Sequence, residues 1–239
     1  AKQRYEEARA TCRRIRDRSG EADAPDGSAD VLIEEGNLRG ARERLADARA
    51  IRSALKDAVG QAEVQLRLAE VSLEDGHLAE AEKLVREAIG VFREHQVADR
   101  EAWAQGLLAG CLLAAAKLTE AQAAAERART LSRRTQDTHS RLMMAITAAR
   151  VGAAVGRLAE ALKSLGDILD SARTAGFLDI QLEARLALAE VEIGSADRTS
   201  PFAQLTTLER QARGRGFGLI AKKAAALRAR NVATTPRVP

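Results

Sequence analysis

Residues 61–97 read QAEVQLRLAEVSLEDGHLAEAEKLVREAIGVFREHQV. Val64, Leu66, Leu68, Ala69, Val71 and Leu73 crowd the first half, too many apolar positions for a surface helix, so a helix over 61–74 covered on several sides is expected. Asp75-Gly76 breaks it, because glycine alone takes a left-handed turn without steric cost. From Leu78 to His95, Ala81, Leu84, Val85, Ala88, Ile89 and Phe92 recur at helical spacing. The stretch is therefore two antiparallel helices joined by a short turn.

The same pattern recurs along the chain. Gly36-Asn37-Leu38, Gly76-His77-Leu78, Ala116-Lys117-Leu118 and Gly156-Arg157-Leu158 stand 40 residues apart, each followed by an alanine at 41, 81, 121 or 161. A fixed period of this length is the mark of stacked repeats. The expected fold is an all-α, right-handed superhelical solenoid of antiparallel helix pairs with a 40-residue period, running as one array over 1–230. Its parts are a second helix at 1–18 belonging to a truncated repeat, pairs at 19–57, 61–97, 101–136, 139–176 and 179–216, a capping helix at 217–230 and a flexible tail at 231–239. Pro25 and Gly27 predict a break after Glu21, with helix resuming near Ser28 or Asp30. Ser200 and Pro201 are expected as N-cap and first helical residue of the last pair's second helix. The chain opens inside a repeat, so an excised fragment, uncovered and prone to self-association at its N-terminal end, is expected.

Composition agrees with close helix packing: 46% of the 239 residues are hydrophobic and 3% aromatic. The net charge of +4 is uneven, with +7 in residues 201–239 and −3 in residues 1–200. Arginine outnumbers lysine 31 to 7, which with abundant alanine suggests a GC-rich bacterial genome. Cys12 and Cys111 lie far apart without metal-like spacing, so a reducing compartment and a cytoplasmic location are expected. No apolar run approaches the roughly 20 residues of a membrane helix.

The pattern resembles the tetratricopeptide repeat. Leu68-Ala69, Gly76, Ala81, Val85 and Ala88 carry the match, as do Leu108-Ala109, Ala116, Ala121, Ala125 and Ala128, and Ala148-Ala149, Gly156, Ala161, Leu165 and Ile168. The family's usual repeat is about 34 residues, so this chain is similar to its longer-helix variants, such as kinesin light chain and the C-terminal arrays of bacterial signalling and regulatory proteins. The family's large first-helix aromatics are replaced by residues such as Gln65 and Ser72, and the proline ending its second helix is absent.

No catalytic or cofactor motif occurs. His77, His95 and His139 lack a second ligand at metal spacing, and Cys111 sits within an apolar helix. No enzyme, cofactor or metal site is expected. Arg213-Gly214-Arg215-Gly216-Phe217-Gly218 repeats the Gly-Phe step of Gly176-Phe177 and reads as an inter-repeat turn rather than a phosphate or nucleic-acid loop. The basic C-terminal end is expected to give weak nucleic-acid binding at most.

First helices line the concave face of such an array, which places Glu63, Leu66, Glu70, Trp103, Met143, Ile146, Arg150, Glu183 and Glu190 on a partner-binding surface. Trp103 is either a groove anchor or a filler beside Gly106 and Gly110; the sequence leaves both open. The expected function is a non-catalytic protein- or peptide-binding regulatory scaffold within a larger bacterial signalling protein. The alternatives are a small-molecule sensor of a regulator or kinase, and nucleic-acid binding through the basic end.

Overall fold

The computed structural model describes residues 2–15, 17–133, 135–193 and 199–234, and every regular element among them is an α-helix. The helices are α1 (Lys2–Ile15), α2 (Arg18–Glu34), α3 (Leu38–Ala54), α4 (Ala58–Glu74), α5 (Leu78–Glu94), α6 (Ala98–Ala114), α7 (Leu118–Ser132), α8 (Thr138–Ala154), α9 (Leu158–Ala175), α10 (Leu178–Ile193), α11 (Thr199–Gly214) and α12 (Gly218–Thr234). None is long and apolar enough to cross a membrane.

The links explain the regularity. His77 N–H donates to Ser72 O (2.8 Å) and Gly76 N–H to Leu73 O (3.1 Å). This paired closure satisfies carbonyls that a helix end leaves bare, and it requires a left-handed residue between the two helices. That residue is Gly36, Gly76, Gly156, Gly176 or Gly216, but also Lys56 (φ 56°), Gln96 (φ 58°) and Ala116 (φ 56°). The left-handed residues thus fall on one 20-residue grid. Gln136 stands on the same grid without a positive φ, next to the short helix α7. The residue that closes one helix also caps the next: Asn37 and Asp57 accept from Gly40 N–H (3.0 Å) and Gly60 N–H (2.8 Å).

Contacts group the chain into two compact units, Ala1–Ile33 with Asn37–Gln136 and Glu34–Gly36 with Asp137–Pro239. In the first, Ala41, Leu45, Ala48, Val64 and Val71 are fully buried, as are Ala81, Val85, Ala88 and Phe92. In the second, Ile146, Leu165, Ile168, Ala172, Ile180, Ala184 and Ala187 form one cluster, and Leu182, Leu186, Leu205, Leu208, Ala212 and Ala221 another. Ala41, Ala81, Ala121 and Ala161 are at most 3% exposed: small residues sit where paired helices approach most closely.

Several boundaries correct the sequence reading. α2 runs unbroken through Pro25 and Gly27. Ser28 Oγ donates to Pro25 O (2.9 Å), and a Cβ on Gly27 would stand 2.3 Å from Tyr5 Cε1. Gly27 is thus a point of close approach for the α1 ring rather than a breaker, and packing outweighs the propensity cost. α1 stops at Ile15, and Asp17 accepts from Gly20 N–H (3.0 Å) to start the next helix. α11 begins at Thr199, which puts Ser200 and Pro201 inside its first turn. α12 extends to Thr234 and takes in the start of the expected tail; residues 235–239 lie outside the described residues.

Candidate functional site: a charged cleft on the first unit

One face of α2 carries Asp23, Asp26, Gly27 and Asp30 at helical spacing. Arg52 reaches in from the end of α3, Glu63, Leu66 and Arg67 from α4, and Arg100 and Trp103 from α6. Together they line a cleft of about 210 Å³. Arg52 is only 7% exposed. Its guanidinium donates to Asp23 Oδ1 (2.7 Å), Asp26 Oδ2 (3.1 Å) and Asp57 Oδ2 (2.7 Å). Arg67 Nε pairs with Asp30 Oδ1 (2.6 Å) and its Nη1 lies 4.0 Å from Glu70 Oε2. Arg100 Nε pairs with Glu63 Oε1 (2.7 Å).

The balance is acidic. These three guanidiniums face six carboxylates within 4.0 Å: Asp23, Asp26, Asp30, Asp57, Glu63 and Glu70. Burial penalises the excess charge. It pushes the Asp26 carboxyl up to about 6 against the opposing pull of Arg52, and the Glu70 carboxyl up to about 7 against Arg67. Asp30 is raised for the same reason. Asp57 goes the other way, held below the usual carboxylate range by Gly60 N–H.

Two buried polar atoms here, Asp26 Oδ1 and Trp103 Nε1, have no hydrogen-bond partner among the described residues. The indole N–H lies beside the Glu70 carboxylate, near enough to favour its charged form, without the geometry of a hydrogen bond. Trp103 as a whole is half-buried: its ring borders the cleft while its nitrogen is shut off from solvent.

Of the expected partner-binding residues, the structure brings Glu63, Leu66 and Trp103 together in the lining of this cleft, with Leu66 buried at 3% exposed; Glu70 stands outside the lining, beside Arg67 and Trp103. The other five lie in the second unit. Arg150 Nη1 donates to Glu183 Oε1 (2.6 Å) and its Nε to Glu190 Oε2 (2.6 Å). Arg150 and then Lys223 hold the Glu183 carboxyl below its usual range despite burial. Ile146 is a core residue and Met143 packs against that core.

Sequence reasoning missed Asp23, Asp26, Asp30, Arg52, Arg67 and Arg100. The break expected in α2 removed Asp23 and Asp26 from a helix face. The spacing Asp23, Asp26, Asp30 on an intact helix is the signal that finds them. His139 is paired through Nε2 to Asp179 and packs edge-on to Phe177 at 5.3 Å between ring centroids. No group of His, Cys, Asp and Glu among the described residues is arranged to hold a metal ion. Gly216 is the left-handed link before α12, so the Arg-Gly segment at 213–218 is an inter-helix turn.

No family model and no curated protein matches the sequence. Solved structures do match in fold. A putative kinesin light chain with nearly identical TPR-like repeats from Podosopora anserina is 18% identical, covering 94% of this chain and 98% of that one, at a TM-score of 0.49. A Rap protein complexed with Competence and Sporulation Factor is 16% identical, covering 97% and 68%, at a TM-score of 0.72. Aspartyl phosphate phosphatase F from Bacillus subtilis is 11% identical, covering 88% and 56%, at 0.59. Its antiparallel helix pairs and the small residues at their crossings give the chain a helical-repeat fold, the fold it shares with the Rap protein and the phosphatase.

Proposed function

We propose that the chain is a non-catalytic protein-interaction module of a larger bacterial signalling protein, and that it takes a peptide or partner segment on the first-helix face. The observation that carries this reading is the cleft itself. It sets the Asp23, Asp26, Asp30 and Glu63 carboxylates and three guanidiniums beside a half-buried tryptophan, and tryptophan and arginine are the side chains that most often anchor a partner. The Rap protein of similar fold was solved with Competence and Sporulation Factor, which supports a binding role for this architecture.

A displayed random-peptide library panned on the chain tests the reading. Enriched sequences should shift the emission of Trp103, the single tryptophan, and lose binding in Trp103→Ala. Enrichment of nothing, or only of sequences indifferent to Trp103, contradicts it.

A further inference from the structure

The two units carry the same helix register with an offset of 120 residues: α2, α4 and α6 start at 18, 58 and 98, and α8, α10 and α12 at 138, 178 and 218. The offset equates Asp30 with Arg150, Glu63 with Glu183, Glu70 with Glu190, and Trp103 with Lys223. The second unit places two glutamates around two cations of its own. Arg150 pairs with both carboxylates at 2.6 Å, and Lys223 acts on Glu183. The first unit keeps the two glutamates, but an aspartate and an indole replace the cations. Arg52, Arg67 and Arg100 make up only part of the deficit, because they face six carboxylates.

We infer that the cleft of the first unit is a receptor for a cationic side chain of the partner, a guanidinium in particular, held among the Asp26, Asp30 and Glu63 carboxylates that line it and against Trp103, with the Glu70 carboxylate beside the indole. The inference rests on the interaction reading above and names the chemistry that site selects. A planar guanidinium suits it on three counts. Its five N–H groups can be shared among the Asp23, Asp26, Asp30 and Glu63 carboxylates that line the cleft. It loses less hydration on entry than an ammonium. It also stacks on an indole face.

Binding should be linked to proton release. Glu70 faces Arg67 and Glu74 on its own helix, Asp30 on α2 and Trp103 on α6. Asp26 faces Arg52 on α3, Arg67 on α4 and Asp30 on α2. An entering cation favours the ionised form of both carboxylates.

The test is a titration of the chain with N-acetyl-arginine amide at constant ionic strength, read by Trp103 emission, with N-acetyl-lysine amide and N-acetyl-glutamate alongside. A saturable change is expected with the arginine probe, weaker binding with lysine and none with glutamate. A carboxylate titrating near 7 predicts an affinity about tenfold higher at pH 8 than at pH 6. Glu70→Gln should lower affinity and flatten that pH dependence. Asp30→Arg, which gives the first unit the residue of the second, should abolish binding. No saturable change, an equal response to glutamate, or an affinity independent of pH overturns the inference. Selected peptides that need Trp103 but tolerate loss of every basic residue also overturn it, and they leave the interaction reading intact.

Discussion

Equivalent faces of the two units differ in how completely they neutralise themselves. On the second unit, Met143, Ile146, Ala172, Ala187 and Ile220 occupy the positions that Asp23, Asp26, Arg52, Arg67 and Arg100 hold on the first. Ile146, Ala172 and Ala187 are core there, and the polar remainder is the Arg150–Glu183–Glu190 set. The first unit replaces apolar contacts with an ion network that is short of cations. A helical repeat fixes where side chains point. Whether a face becomes core or cleft is decided by which residues stand there.

The largest effect that would sharpen this contrast comes from cutting the closed set. Arg150→Ala leaves Glu190 without its paired cation and Glu183 with Lys223 alone. It should cost about 3 kcal/mol, the low end for breaking a buried pair because Glu190 is partly exposed. Urea denaturation measures it, and a loss below about 1 kcal/mol would show that solvent already neutralises the set.

Trp103→Ala comes next. A fully buried tryptophan costs about 3–5 kcal/mol on truncation; this half-buried one, bordering an open cleft, should cost about 2 kcal/mol and leave helicity unchanged by circular dichroism. A loss of the full buried value would mean the ring is core and the cleft is closed in solution.

pH separates the units by sign. Asp26 and Glu70 are raised in the folded state, to about 6 and about 7. The folded chain therefore holds more protons than the unfolded chain between the ordinary carboxylate range and about pH 7, and their contribution to stability falls as pH rises through that window. The loss is on the order of 2 kcal/mol once solvent screening is allowed for. Glu183 is lowered, so its contribution is present above the ordinary range and is lost as pH falls through its folded value. Hydrogen exchange at pH 5 and 7.5 reads this: α2 and α4 should be better protected at the lower pH, while α10, whose Glu183 is ionised at both, should not change. Equal shifts in both would erase the distinction.

The helix pairs were legible because their period rests on local chemistry: Gly36, Gly76 and Gly156 at turns, and Ala41, Ala81, Ala121 and Ala161 at crossings. The left-handed Lys56, Gln96 and Ala116 were harder to read, since nothing in those side chains favours positive φ; the hydrogen-bonded link imposes it. Glu63, Glu70 and Trp103 could be placed on one face from register alone. The rest of the cleft could not, because Pro25 and Gly27 read as a break until the Tyr5 ring is seen against Gly27. Net acidity was hidden as well, since it depends on which guanidinium reaches which carboxylate.

The smallest effect concerns those links. Ala116→Gly should raise stability by about 0.5–1 kcal/mol, the strain of a left-handed alanine less the added freedom of glycine in the unfolded chain. A loss of stability in thermal melts would show that the link is not left-handed in solution.

The central claim is that the first unit lacks the cations that the second supplies to itself. Carboxyl-carbon NMR titration of the free chain tests it most directly, by following Glu70 and Glu183 in one sample. The account predicts that Glu70 titrates near 7 and Glu183 below the usual glutamate range. Two ordinary titrations, both between about 4 and 5, would contradict it.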